Sequence, residues 1–366
     1  MLKKVLIVGY YHPKNDKRVF RTVETLSKVC DVSYQYISNN ENEGIYVENN
    51  IKFIPIFFKI NAQENVLKKA LKRIKFDLKV LEVIESEDYD ILYMHHFLPI
   101  FPLKPFKFAK SKKKMVVYDI HEYHPENFLN SLGGLAKILK EKIMWKIFEM
   151  QLKLADKLIF VSKEMQEDVY KKLGLKKPYL VVPNYANILV EPKEKRKEIS
   201  FVGKVTRNIE KEKEILKKLI EKGFTFKIIG MDSDVFKDVP HEYTSFLPYE
   251  DMMIELSKSA FSLISYNTVR NESYKNDLFA LPNKYYDSIC AGTPVIVKNS
   301  FVSMAKEVEK YGIGVVIDPN DVEESVERIL NAYEHYDELM ENVRKYKRNF
   351  VWDDMKKQEF INFVLH

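Results

Sequence analysis

Short runs of Val, Ile, Tyr and Phe alternate with longer amphipathic stretches along this 366-residue chain, and the alternation stops once and then begins again. A short apolar run bounded by turn residues is a buried strand, and a longer stretch with helical periodicity is a surface helix. Strict alternation of the two builds βα units around a parallel sheet. In the first half the strand candidates are 5–10, 32–37, 51–56, 91–95, 115–120, 158–161 and 179–182. Helices are expected over 17–29, 63–86, 135–155 and 163–173. The interval 184–197 breaks the rhythm with Pro192 and a run of Lys, Arg and Glu, which reads as a linker. The pattern resumes with strands at 199–202, 226–229, 244–246, 261–266, 294–297 and 314–317, and helices starting near Glu210, Tyr249, Pro282, Ser303 and Val322. The chain is also longer than one hydrophobic core usually organises. The fold class is therefore α/β, with two doubly wound domains in tandem and an interdomain cleft.

Composition narrows the function classes. Hydrophobic residues at 46% and charged residues at 31% exclude a disordered chain. The two cysteines, Cys30 and Cys290, have no neighbouring Cys or His at ligand spacing, so a reducing compartment fits and a zinc site does not. The N-terminus reads as a buried first strand rather than a signal peptide. No apolar run approaches the roughly 18 residues that span a bilayer. A cytoplasmic location follows as the expectation, with any membrane contact peripheral, on the inner face.

The net charge of +6 is concentrated in blocks: seven Lys/Arg between Lys59 and Lys79 against Glu64 and Asp77, and six Lys with no acid between Lys104 and Lys114. Lys68, Lys69, Lys72 and Arg73 recur at helical spacing, with Leu67, Leu71 and Ile74 alongside. That is the build of an interfacial helix, and peripheral contact with anionic membrane is expected there, with Lys112–Lys114 beside it. A solvated helix face in a Lys-rich protein has the same pattern. Nucleic acid is not an expected partner, because no aromatics interleave a basic sheet face.

Doubly wound sheets bind ligands beyond the carboxyl ends of their strands. With only 11 glycines in the chain, Gly9, Gly203 and Gly230 directly at strand ends mark close approach of a ligand or a tight turn. The first turn, GYYHPKND, and the restart, FVGKVTRN, both lack G-x-G-x-x-G, and no G-x-x-x-x-G-K-[ST] loop is present, which argues against dinucleotide and ATP chemistry.

Four constellations stand at strand ends. Asp16 in DKRVFR (16–21) is placed to cap the first helix, bringing Arg18 and Arg21 with it, and Tyr11 precedes it. His95 and His96 end the fourth strand. In DIHEYHPE (119–126), Asp119, His121, Glu122 and His124 crowd one strand-to-loop transition. Metal binding is the minority reading, because residues 121 and 122 point to opposite sides of an extended segment. A histidine there can instead hydrogen-bond sugar hydroxyls or polarise a leaving group. In LPNKYYDSICAGTPVIV (281–297), Leu281 and Pro282 lead into a helix start, and Asn283 and Lys284 sit where backbone amides are unpaired, making an anion site. Asp287 follows one turn later.

In this order and on these elements, the four motifs resemble group 1, family 4-like glycosyltransferases of GT-B fold, over nearly the whole chain. The resemblance implies two Rossmann-like domains. An acceptor domain would span 1–190, a nucleotide-sugar domain 191–348, and a terminal helix, 349–366, would cross back to the first domain. It implies a nucleotide-diphosphate sugar as donor substrate, no cofactor and no metal, and a glycan or lipid-linked acceptor in surface polysaccharide or glycoconjugate synthesis. His121 and Glu122 are the implied catalytic residues. Gly203, Lys204, Arg207, Lys211, Gly230, Leu281, Pro282, Asn283, Lys284 and Asp287 are the implied donor residues, with Arg207 and Lys211 both fitting the second phosphate ligand. Tyr11, Asp16, Arg18, Arg21, His95, His96 and His124 fall on the acceptor side. Where the family carries E-x7-E, this chain has Phe279 and Asp287. Two rivals remain at the level of sequence: a UDP-N-acetylglucosamine 2-epimerase-like enzyme of the same fold, and a non-enzymatic basic protein that binds RNA or membrane.

Overall fold

The computed structural model describes residues 2–61, 63–96, 98–127, 134–204, 209–231, 234–265 and 274–366. The chain divides into two compact units. The first comprises Met1–Val161, Met165–Val182 and Met355–His366; the second comprises Ser162–Glu164 and Pro183–Asp354. The first unit holds strands β1 (Lys4–Pro13), β2 (Asp31–Ser38), β3 (Tyr46–Glu48), β4 (Ile51–Phe57), β5 (Ile91–Met94), β6 (Met115–Ile120), β7 (Lys157–Phe160) and β8 (Tyr179–Val181). The second holds β9 (Arg196–Gly203), β10 (Thr225–Gly230), β11 (Glu242–Ser245), β12 (Ser259–Ile264), β13 (Val295–Lys298) and β14 (Gly314–Ile317). The helices are α1 (Lys17–Ser27), α2 (Val66–Ser86), α3 (Lys104–Ser111), α4 (His124–Asn127), α5 (Gly134–Leu154), α6 (Lys163–Leu173), α7 (Glu210–Glu221), α8 (Tyr249–Leu256), α9 (Lys275–Leu278), α10 (Asn283–Cys290), α11 (Val302–Tyr311), α12 (Val322–Glu334), α13 (Tyr336–Tyr346) and α14 (Asp354–Leu365).

The first sheet has the order β3-β4-β2-β1-β5-β6-β7-β8 and the second β11-β10-β9-β12-β13-β14. All pairings are parallel except β3 with β4. In each sheet the first strand lies inside, and the chain winds away from it in one direction and then the other. The reversal falls between β1 and β5, and between β9 and β12, which are the places where such sheets receive ligands. The strands beside these points are buried on both faces, as covered parallel strands are: ILYM in β5, and SAFSLI in β12, whose Ser259 and Ser262 are hydrogen-bonded to Glu198 and Ser288. In the second unit one core lies under α7 and α12, around Phe201, Phe226 and Ile329. The other lies under α8, α10 and α11, around Tyr285, Ile289 and Val308.

Several elements depart from the sequence reading, which has no counterpart of α4, α9 or α13. Residues 104–114 were expected only as a basic block, yet their first eight form α3, because Phe106 and Ala109 bury one side of the run. The short antiparallel strand β3 adds an edge beyond β4, and its three residues carry no periodicity to read. The terminal helix α14 belongs from Met355 with the first unit. There Lys157 Nζ donates to the Phe363 carbonyl at 2.6 Å, and Phe360 packs beside Tyr93.

Candidate functional site

The carboxyl edge of the second sheet is built around two adjacent glycines. Gly203 ends β9 and Gly230 ends β10, and they are register partners. Their φ values of 94° and 115° fall in the left-handed half of backbone space, which favours glycine. A Cβ on Gly203 would meet nothing within 4 Å, so the floor is open above it. Lys204 follows, exposed. Across the reversal point, α10 begins at Asn283 with Pro282 as its N-cap and no side chain capping it, and Leu281 is buried behind it. Lys284 Nζ donates to the Ser265 carbonyl at 2.7 Å, just past β12, and sits 4.0 Å from the centre of the Phe201 ring. Its surroundings strip water from the ammonium and push it down to about 7. An ammonium and a helix N-terminus on the same edge make an anion site with its positive charge partly suppressed until an anion arrives.

Behind Lys284 lies a polar chain with no counterpart in the sequence motifs. Ser265 Oγ donates to Glu212 Oε1 at 2.6 Å, and Lys298 Nζ lies 3.9 Å from the same oxygen. All three residues are buried, and burial lowers Lys298 while Glu212 and Asp277 oppose that shift. The partners are separated along the chain by dozens of residues, so only the fold brings them together. Asp287, expected at the ribose, is buried one turn into α10, where its Oδ1 accepts from Tyr249 Oη at 2.6 Å. Lys211 is held in an exposed pair with Glu214 at 2.8 Å on α7, which engages the ammonium expected at the diphosphate. Arg207 lies outside the described residues.

The carboxyl edge of the first sheet gathers most of the remaining candidates. Asp16 is the N-cap of α1, its Oδ1 accepting from Arg18 and Val19 N–H at 3.1 Å each. Its Oδ2 meets His12 Nδ1 at 3.0 Å. Burial pushes the Asp16 carboxyl up, and the His12 bond, with the Val19 N–H, outweighs it and holds the group low. Arg18 reaches from the first turn of α1 to Asp119 at the end of β6, at 2.6 Å, and to the Val182 carbonyl at 2.6 Å. Asp119 also accepts from Tyr93 Oη at 2.9 Å. Burial alone would raise the Asp119 carboxyl; Arg18, His121 and His95 hold it well below the ordinary range.

His95 Nδ1 and His121 Nε2 are 2.9 Å apart, and the His12 ring centre lies 5.2 Å from that of His121. Burial lowers both His95 and His121, with Asp119 opposing in each case. Glu122 is exposed where His121 is half-buried, the alternation expected of an extended segment. His96 stacks on Tyr10 at 5.2 Å and meets His124 at 4.8 Å, and burial takes His124 down to about 3. Arg21 is buried in α1.

Tyr10 holds an unfavourable φ of 56°, fixed by Gln35, whose Oε1 accepts from Tyr10 N–H at 2.8 Å and whose Nε2 donates to its carbonyl. Gly9 beside it has no room for a side chain, since a Cβ would stand 2.8 Å from the Gln35 carbonyl oxygen. Tyr11 receives the Arg73 guanidinium on its face at 4.1 Å, and Arg73 Nε lies 3.8 Å from Asp77. Arg73 thus serves this edge, and Lys72 donates to the Lys59 carbonyl and pairs with Glu64. Two of the four basic residues expected to face a membrane on α2 are engaged elsewhere.

Among the described residues, His95, Asp119 and His121 place one potential ligand atom each within 4.8 Å of one another. Asp119 is already bound to the Arg18 guanidinium, which opposes a second cation. The 2.9 Å imidazole contact is a hydrogen bond that engages the very nitrogens a metal would need. The arrangement lets the two imidazoles share a proton beside the Asp119 carboxylate. His12 was missed by sequence reasoning, although its i,i+4 relation to Asp16 at a strand end was available.

Residues 56–188 match the family model of Glycosyltransferase Family 4, and residues 199–360 that of the Glucosyltransferase 3-like, C-terminal domain. Among solved structures, the chain is similar to sucrose-phosphate synthase from Thermosynechococcus elongatus at a TM-score of 0.68 and 12% identity, covering 99% of this chain and 98% of that one. It is similar to HepE of Anabaena, solved in complex with UDP and glucose, at 0.64 and 12% identity, covering 99% of each. A putative UDP-N-acetylglucosamine 2-epimerase from Listeria monocytogenes gives 0.58 and 12%, covering 100% of this chain and 96% of that one. At such identities the likeness is one of fold. No curated protein matches the sequence.

Proposed function

We propose, from the two glycosyltransferase family models matched over 56–188 and 199–360 and from the GT-B-like fold, that the chain is a glycosyltransferase that transfers a sugar from a UDP- or GDP-sugar to a glycan or lipid-linked acceptor in the synthesis of a surface polysaccharide or glycoconjugate. The observation that carries this is the anion site of the second unit: the glycine floor of Gly203 and Gly230, with Lys284 and the uncapped start of α10. In the reaction the acceptor hydroxyl forms a bond to the anomeric carbon and gives up its proton. The bond from that carbon to the phosphate oxygen breaks, and the nucleoside diphosphate leaves with the electron pair. Lys204, Lys284 and the α10 amides stabilise that charge, so the departure needs no metal. Asp287, oriented by Tyr249, is assigned to the ribose hydroxyls.

The first unit is assigned the acceptor. His121, backed by His95 and Asp119, takes a hydroxyl proton or donates to a sugar hydroxyl, with Glu122 as the accompanying carboxylate. Tyr11, Asp16, Arg18, Arg21, His96 and His124 shape that edge. The cytoplasmic face of the membrane is the proposed place of action, where nucleotide sugars and lipid-linked acceptors meet. No helix among the described residues is long and apolar enough to cross a membrane. HepE, whose structure holds UDP and glucose, supports a uridine donor.

A panel of UDP-, GDP-, ADP- and dTDP-sugars tests the reading by thermal stabilisation. A donor that binds the folded state alone raises the melting temperature by mass action. The expected result is a shift with one nucleotide class, lost in Lys284→Ala; no shift with any member would refute the donor site.

A further inference from the structure

We propose that the first half of α5 is a lipid-docking element that lays the protein on an anionic bilayer surface. The second half of α5 is anchored: Phe148, Gln151 and Leu152 are buried, Gln151 Nε2 donates to the Pro102 carbonyl at 2.9 Å, and Trp145 packs between Tyr123 and Lys172. The first half is a different surface. Leu135 is 85% exposed, Leu139 62%, Ile138 52% and Ile143 51%, a contiguous apolar patch on one helix.

These residues share one face, at spacings of three, four and eight from Leu135. Lys142 and Lys146 continue the same face one and two turns on, Lys146 pairing with Glu149. Lys137 and Lys140 flank it. The helix α3, which lies against α5, carries exposed Lys107, and exposed Lys112 and Lys113 follow its end.

An apolar stripe interleaved with lysines fits a bilayer better than a protein. The leucines and isoleucines enter the acyl boundary, and lysine stems lie along them with the ammonium groups at the phosphate level. A protein partner would need an acidic frame around an apolar groove; anionic lipid supplies both features over any area. This deepens the transferase reading, on which it rests for its purpose, since a lipid-linked acceptor lies in that surface.

The test is co-sedimentation with vesicles of phosphatidylcholine alone or mixed with phosphatidylglycerol, with no sugar donor present. The wild-type chain should bind the mixed vesicles at low salt and leave phosphatidylcholine largely unbound. The Leu135→Ser, Leu139→Ser, Ile143→Ser combination should lose binding by tenfold or more at an unchanged melting temperature. Lys137→Gln with Lys142→Gln should weaken it by about fivefold per lysine. A fluorophore on Leu139→Cys should shift to the blue when mixed vesicles are added, a readout that does not depend on the serine variant folding.

Absence of binding at low salt overturns the proposal, as does serine-variant binding equal to wild type. A wild-type dimer that the serine substitutions convert to monomer would assign the stripe to a second copy of the chain instead. UDP titration of the serine variant separates this from the donor site: unchanged UDP binding with lost vesicle binding supports docking, and lost vesicle binding together with lost UDP binding overturns it.

Discussion

A lysine pushed down to about 7 is partly neutral at physiological pH, and Lys284 is in that position because its surroundings exclude water. A diphosphate beside it restores the charge, so binding takes up a proton. Affinity for UDP should fall as pH rises above 7, by up to about tenfold per unit, and Lys284→Gln should flatten the profile. Calorimetry in buffers of different ionisation enthalpy checks this; a pH-independent wild type would contradict it. On the other unit, Arg18 and Asp119 form an ion pair with almost no solvent contact. Removing one partner strands the other, so Asp119→Asn should lower stability by about 3–5 kcal/mol in urea unfolding.

His121 should titrate below the ordinary histidine range in nitrogen-15 spectra, because burial disfavours its charged form. Asp119→Asn should lower it further, since that carboxylate raises it. A titration midpoint at or above the ordinary value would oppose this account. Several of these residues were legible in the sequence because their chemistry is local: Asp16 caps its own helix, and His121 and Asp119 are two apart. The Glu212–Ser265–Lys298 chain was not, because no local pattern links residues that meet only when β12, β13 and α7 are assembled.

At the scale of elements, periodicity reads well where one face is buried and one is wet. It located α1, α7 and α12, and the apolar runs located β5, β6 and β12, to within a few residues. It failed at α3, where a lysine count hid the buried Phe106 and Ala109, and at β3, too short to show alternation. On α2, helical spacing places Lys72 and Arg73 beside Lys68 and Lys69 but does not reveal that Glu64 pairs with Lys72 or that Tyr11 and Asp77 meet Arg73. The turn after β9 gives a prediction at this scale. Gly203→Ala introduces no clash, so its cost is backbone strain alone, about 1–3 kcal/mol, measurable by denaturation. The new methyl also stands on the glycine floor, and UDP affinity should fall tenfold or more; unchanged affinity would move the phosphates off that floor.

The molecule as a whole presents two doubly wound units, one carrying a histidine–carboxylate edge and the other an anion site. The tandem architecture was legible because the strand–helix rhythm is a property of the whole chain. The fold alone does not select the reaction, since sucrose-phosphate synthase and a putative 2-epimerase resemble the chain at similarly low identity. The proposed reading is transfer: it assigns the departing diphosphate to the second unit and a base for an acceptor hydroxyl to the first. The most direct measurement is nucleoside diphosphate release from the same panel of nucleotide sugars, with and without a lipid extract as acceptor source, followed by product analysis. The account predicts release from one class of donor, stimulated by the extract and lost in Lys284→Ala. Conversion of UDP-N-acetylglucosamine to its epimer without an acceptor, or release that ignores the Lys284 substitution, would contradict it.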